Sequence, residues 1–255
     1  MKKLKKILKI IFIVLLLLLG TTGTYVGMHY RDVSNWIARQ AGKDASKQEQ
    51  RLKIKHNRVS NLSENEKSKL QYGGAVKDDL TSPIKIWQYA HDHSYPLGYV
   101  GRVAIPTRNI NLPINHGSNN RVLAVGAGTL KDSFATTPYN EKNIMGESNF
   151  AICGHNMDDH YTLFSAVPDM ANGENIYTYN GHRIFKYQKY STQIVSPSDI
   201  SVIFNTRDTD KHPIITITTC NYSGSARYVV RGQLKKIYTK NNVPQKIKRL
   251  FIYKK

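Results

Sequence analysis

The chain has 255 residues, with 37 Lys and Arg against 18 Asp and Glu, a formal net charge of +19. That length can bury a real core in one or two domains, and the positive excess points to an anionic neighbour such as lipid headgroups or a charged wall polymer. Nucleic acid is set aside because no zinc-finger, helix-turn-helix or RRM pattern is present, and two cysteines, Cys153 and Cys220, are too few for a secreted disulfide scaffold.

The N-terminus MKKLKKILK is basic and leads into an uncharged run, Ile10 to Met28, centred on IIFIVLLLLLG. A run of that length predicts a membrane-spanning helix, with the lysines holding its start in the cytoplasm. No convincing small-residue cleavage site follows the Leu run, so residues 1–28 read as a retained single-pass signal anchor. The remainder of the chain is then outside the cell. Residues 29–80 are polar and basic with little apolar periodicity, which predicts a partly helical stalk.

Residues 81–255 read as the folded extracellular domain. Thr81 to Leu97 predicts a short helix, with Ser82 as its cap and Pro83 at the first helical position. His91, Asp92 and His93 are too close in sequence to share a helix face, so they read as a solvated helix end rather than a metal site. From Gly98 onward the chain breaks into short β-like runs. They are Tyr99 to Ile105, Asn111 to Ile114, Val122 to Val125, Asn149 to Cys153, Asn175 to Tyr179, His182 to Thr192, Ile214 to Thr219 and Tyr228 to Ile237. Short strands at this spacing predict a mainly β fold, a closed or nearly closed barrel.

The segment Ile214 to Arg231, IITITTCNYSGSARYVVR, carries the chemistry. In its first run Ile215, Ile217 and Thr219 point one way and Thr216, Thr218 and Cys220 the other. The loop from Asn221 to Ala226 is built largely from turn formers, so the second run returns beside the first and Arg227 faces Cys220 across the hairpin mouth. A Cys nucleophile needs a base, because the thiolate attacks and a free thiol is mostly protonated near neutrality. His155 is the candidate, since Gly154 lets the backbone turn tightly at a strand end. Arg231 is the rival to Arg227, lying four residues along the same strand face. Cys153 shares a face with His155 by strand parity. It reads as a small buried thiol, the alternative being a reversible disulfide with Cys220.

Thr216-Ile217-Thr218-Thr219-Cys220 resembles the TLxTC signature of sortases, with Ile in place of Leu. The resemblance runs from about Tyr99 to Leu234, roughly half the chain, through Gly101-Arg102-Val103-Ala104-Ile105-Pro106, Asn111-Leu112-Pro113-Ile114, Gly126-Ala127-Gly128-Thr129, Gly154-His155, Leu163-Phe164-Ser165 and Arg227-Tyr228-Val229-Val230-Arg231-Gly232. Cys153 departs from it, because the family more often has Ala or a similar small residue there. The N-terminal anchor and the short tail after Arg231 look like class A.

This resemblance implies an eight-stranded barrel and a cysteine transpeptidase acting on an LPxTG-like signal. Cys220 is then the nucleophile, His155 the acid and base, and Arg227 the holder of the oxyanion. Thr219 and Thr218 are the candidate substrate contacts. The implied partners are surface proteins bearing the signal, an amine of a lipid-linked cell-wall precursor and the cytoplasmic membrane. No cofactor and no metal are expected. The loop from Lys131 to Glu147 offers only Asp132, Glu141 and Glu147, fewer oxygen ligands than a calcium site gathers. Two alternatives stay open: a cysteine endopeptidase that hydrolyses the same motif, and a non-catalytic binding barrel tethered to the membrane. A papain-like enzyme is disfavoured, because His155 precedes Cys220 in the chain.

Overall fold

The computed structural model describes residues 2–51, 88, 98–130, 143–157, 159–221 and 223–251. Almost all of the predicted 81–97 helix, with His91–His93, lies outside them, as do residues 131–142. Helix α1 spans Lys2–Met28 and α2 spans Tyr30–Arg51. Within α1, the 25 residues Leu4–Met28 have a mean hydropathy of 2.3 over their most apolar window and no burial against protein. This helix is long and apolar enough to span a membrane.

The strands are β1 (Tyr99–Ile105), β2 (Ile110–Asn115), β3 (Ala127–Thr129), β4 (Asn149–Cys153), β5 (Asn175–Tyr179), β6 (Ile184–Val195), β7 (Ile214–Cys220) and β8 (Arg227–Tyr238). They close into a barrel in the order β1-β2-β3-β4-β7-β8-β6-β5. Strand parity decides what fills it: Phe150 and Ile152 of β4, Ile215 and Ile217 of β7 and Val230 of β8 are fully buried in one interior cluster. Burying a side chain of this kind stabilises the fold by about 1.5–3 kcal/mol. The alternate residues Thr216, Thr218 and Cys220 face outward with Ala151 and Cys153 of the parallel neighbour β4.

One predicted strand is instead a helix. Asn120–Val125 forms α3, because the Asn119 side chain accepts a hydrogen bond from the Val122 amide (3.0 Å) and caps its first turn. The β-branched residues that suggested a strand serve equally to bury one helix face, with Val122 and Val125 fully buried. The strand lies one step later, at Ala127–Thr129. A Cβ on Gly128 would stand 2.1 Å from the Gly117 carbonyl oxygen, so only glycine allows that approach. The C-terminal basic segment forms the short α4 (Gln245–Lys248), whose neighbours Leu250 and Phe251 pack with Ala104, Tyr177 and Tyr238.

Helix α2 lies on α3 and β2. Its small residues Ser34, Asn35 and Ala38 are buried there at 4%, 4% and 1% exposure, while Trp36 stays exposed. Small side chains let the helix approach closely. Next to them Arg39 Nη1 donates to Asp159 Oδ2 (3.1 Å) and to Thr162 Oγ1 (3.0 Å). Asp159 in turn accepts from the Tyr161 and Thr162 amides and so ties up the turn that follows His155. The first part of the segment beyond the apolar helix is thus joined to the barrel.

Arg39 is more than a third exposed, so Arg39→Ala should cost no more than about 1 kcal/mol of stability. It should also speed amide exchange at Tyr161 and Thr162 selectively. Hydrogen exchange on the full chain checks this, and unchanged exchange at the two amides would contradict the clamp.

Candidate active site

Strand β7 pairs in parallel with β4 from Asn149↔Ile214 to Cys153↔Thr218, and antiparallel with β8 from Ile214↔Gln233 to Cys220↔Arg227. Cys220 and Arg227 are therefore directly opposite each other at the mouth of the hairpin. The loop between them is closed by Asn221, whose amide donates to the Ala226 carbonyl (3.0 Å) and whose Oδ1 accepts from the Ala226 amide (2.9 Å). Gly224 takes a φ of 71°, a conformation that suits glycine. Arg227 Nη1 is anchored on the Gly224 (3.0 Å) and Ala226 (3.1 Å) carbonyls, which holds the guanidinium at this end of the strand. Arg231 lies opposite Thr216 and donates through Nη2 to the Val202 carbonyl (3.2 Å). It is about 13 Å farther along β8, so Arg227 is the arginine beside Cys220.

His155 follows the end of β4. The Gly154 amide donates to the Thr218 carbonyl (3.2 Å), and the His155 carbonyl accepts from the Phe164 amide (2.9 Å). A Cβ on Gly154 would stand 2.5 Å from the Phe164 ring, itself fully buried, so glycine is required for this packing. The result is a turn that places His155 two residues beyond the end of β4. His155 is half-buried as a residue, but its Nε2 is enclosed and has no partner among the described residues. Burial pushes the imidazole down to about 4 from its ordinary 6.5, so it is neutral at physiological pH and able to accept a proton.

Of the two predicted substrate contacts, Thr218 lies on the outer face with Cys220 and is buried. Thr219 points inward, and its Oγ1 donates to the Gly154 carbonyl (2.8 Å). Its hydroxyl thus holds the peptide that leads into His155. The sequence reading did not find Asn156, whose Nδ2 donates to the Cys220 carbonyl (3.0 Å). It also overlooked Asn149, buried at 2%, which donates to the Val202 and Phe204 carbonyls and accepts from Thr216 Oγ1. A buried Asn in the middle of an apolar run, and an Asn directly after the candidate base, were the available signals.

Both cysteines are free thiols, Cys153 buried and Cys220 half-buried. Cys153 pairs with Thr218, two residues before Cys220, which separates the two Cα atoms by about 8 Å from strand spacing and rise. A disulfide bridges Cα atoms up to about 7 Å apart, so the register does not support a Cys153–Cys220 switch. Burial, with the neighbouring Cys220, pushes the Cys153 thiol up to about 12. It packs instead with Val122 and Leu123 of α3.

The sortase domain family matches residues 103–235, just over half of the chain. The chain belongs to the sortase family. Sortase A from Bacillus anthracis is 32% identical over 136 residues, which cover 53% of this chain and 59% of that protein. Sortase A from Listeria monocytogenes is 30% identical over 139 residues, covering 54% and 57%. This sortase thus spans somewhat under three fifths of the length of these curated relatives, and it is sortase A-like in sequence. The crystal structure of the Listeria monocytogenes sortase A superposes with a TM-score of 0.51 at 26% identity, over 62% of this chain and 99% of that one. Sortase C-3 from Streptococcus pneumoniae shares the fold, with a TM-score of 0.52 at 20% identity over 85% and 92%. The closed barrel with its short helices is therefore the sortase architecture.

Two outcomes follow from the electrostatics. The folded state holds His155 below its unfolded value, so the unfolded chain binds more protons between about pH 4 and 6.5 and stability falls as pH drops through that window. His155→Gln should flatten this part of the stability–pH curve, as read by denaturant unfolding at a series of pH values. Separately, a thiol-reactive probe on the native protein should label Cys220 and leave Cys153 unmodified. Labelling of Cys153 at a comparable rate would contradict its enclosure.

Proposed function

We propose that this sortase is a membrane-anchored cysteine transpeptidase that cleaves an LPxTG-like sorting signal between Thr and Gly and passes the acyl group to a cell-wall precursor amine. The observation that carries the reading is the placement of Cys220 opposite Arg227 at the end of one ladder, with a neutral His155 at the end of the adjoining strand. Family membership supports the same assignment. His155 takes the Cys220 proton as the sulfur adds to the threonine carbonyl carbon. Negative charge collects on the carbonyl oxygen, where the Arg227 guanidinium opposes it. The imidazolium then returns its proton to the departing glycine nitrogen as the C–N bond breaks, leaving a thioester on Cys220.

The second half reverses these roles. An incoming primary amine attacks the thioester carbonyl, His155 removes the amine's extra proton, and the thiol leaves with that proton. Water attacking in place of the amine would give the free acid, the outcome of a plain endopeptidase. The apolar α1 supports a single-pass anchor whose lysine-rich start is cytoplasmic and whose barrel is extracellular. Burial of Ser34, Asn35 and Ala38 of α2 against the barrel supports working close to the bilayer, where a lipid-linked amine donor is held.

The reading is tested with the detergent-solubilised full chain, a quenched LPxTG peptide and a glycine-based amine. An amine-ligated product that disappears in Cys220→Ala supports transpeptidation; free acid regardless of amine supports the endopeptidase instead. Arg227→Ala should lower kcat by about 10²–10³-fold, and Arg231→Ala should largely spare it. The reverse pattern would reassign the arginine.

A further inference from the structure

Where the β4–β7 ladder stops, a side chain takes over from the backbone. In a parallel ladder, successive rungs recur every two residues on each strand. The Gly154 amide donates to the Thr218 carbonyl at 3.2 Å. The next rung of an unbroken ladder would run from the Asn156 amide to the Cys220 carbonyl. The bond found there runs to the same carbonyl, at 3.0 Å, but from Asn156 Nδ2. Meanwhile the backbone at Asn156 has turned to bridge Leu163, and the Phe164 amide has taken the His155 carbonyl. The two strands therefore part at His155, yet stay tied at the nucleophile by a link one asparagine side chain long.

We propose that Asn156 is a positioning residue: its side-chain amide is the last rung between β4 and β7, and its length sets the separation of His155 from Cys220. This rests on the catalytic roles assigned above to those two residues. Three observations support the inference. The bond joins the residue directly after His155 to the backbone of Cys220 itself, so it spans the two groups that must exchange a proton. Gly154 is already held on its other atom, because Thr219 Oγ1 donates to its carbonyl at 2.8 Å. His155 is thus fixed on both sides, by Thr219 before it and Asn156 after it. Finally, the enclosed His155 Nε2 makes no hydrogen bond among the described residues, so the backbone on either side of the ring carries the positioning at that end.

The geometry makes the dependence on side-chain length specific. Gln keeps the donor on a stem one methylene longer. Ala removes the rung. Asp, ionised at neutral pH, presents oxygens to a carbonyl oxygen and drives the ends apart. A displacement near 1 Å of a catalytic group costs up to about 100-fold in rate. The expected order of kcat is therefore wild type above Asn156→Gln, with Asn156→Ala and Asn156→Asp lowest, down by about 10- to 100-fold. KM should stay within about twofold, because the rung is an internal bond between the two strand ends.

The experiment uses the full chain in detergent and compares the four proteins in two assays. The first separates kcat from KM on the LPxTG peptide. The second follows alkylation of Cys220 by iodoacetamide against pH, which reports the His155–Cys220 coupling whether or not a peptide is turned over. The inference is supported if Asn156→Ala loses kcat, keeps KM and shifts the alkylation–pH profile while Asn156→Gln restores part of each. It is overturned if the alkylation–pH profile of Asn156→Ala matches wild type, or if any loss follows a fall in melting temperature with the profile unmoved. Lack of turnover by wild type, with a profile that shifts in Asn156→Ala, would instead remove the transpeptidase reading and leave the rung standing.

Discussion

The parallel pairing of β4 with β7 runs from Asn149–Ile214 to Cys153–Thr218 and gives out as the strands reach Gly154 and Thr219. Up to that point the spacing of the strands is set by backbone geometry at about 4.8 Å. Beyond it the chain must place a histidine and a cysteine at a separation that a ladder does not provide. Ending the ladder there gives each residue a side-chain environment of its own while keeping the rigid barrel immediately behind them. The glycine at the break is required because the buried Phe164 ring occupies the space a Cβ would need. Sites carried at strand ends in this way are more closely defined than sites on free loops.

The electrostatics of the pair follow from the same enclosure. Burial makes the His155 imidazole neutral and so able to accept a proton. It keeps the second thiol, Cys153, protonated and inert on the side of the site packed against α3. Arg227 sets a positive charge opposite Cys220 and is held there by two carbonyls of its own loop. A guanidinium anchored on neutral carbonyls keeps its attraction for negative charge.

Helix α2, which follows the apolar α1, adds a constraint at longer range. Through Ser34, Asn35 and Ala38 it is buried on α3 and β2, and through Arg39 it reaches the turn following His155. Burial alone would raise the Asp159 carboxyl, but hydrogen bonds from Thr162 and Tyr161 hold it below its ordinary range, so it stays charged opposite Arg39. The segment that follows α1 is thereby coupled to the turn that follows His155. This coupling adds order more than stability, since the ion pair remains open to solvent on the arginine side.

Alternation of β-branched and polar residues is enough to place β7 and β8, and the turn formers between them put Cys220 opposite Arg227. A hairpin is local, so its register can be read from a few neighbouring residues. The uncharged run of α1 was equally plain, because length and hydropathy are properties of the segment alone. What only the tertiary structure decided has a common cause: each case turns on a partner distant in sequence. Val122–Val125 is helical because Asn119 caps it and the barrel buries it, although its residues suit a strand. Thr219 bonds the Gly154 carbonyl across 65 residues, Asn156 reaches Cys220 across 64, and Arg39 reaches Asp159 across 120. A hydrogen bond of that kind leaves no periodic trace in the chain, because it depends on which strands happen to lie side by side once the barrel has closed.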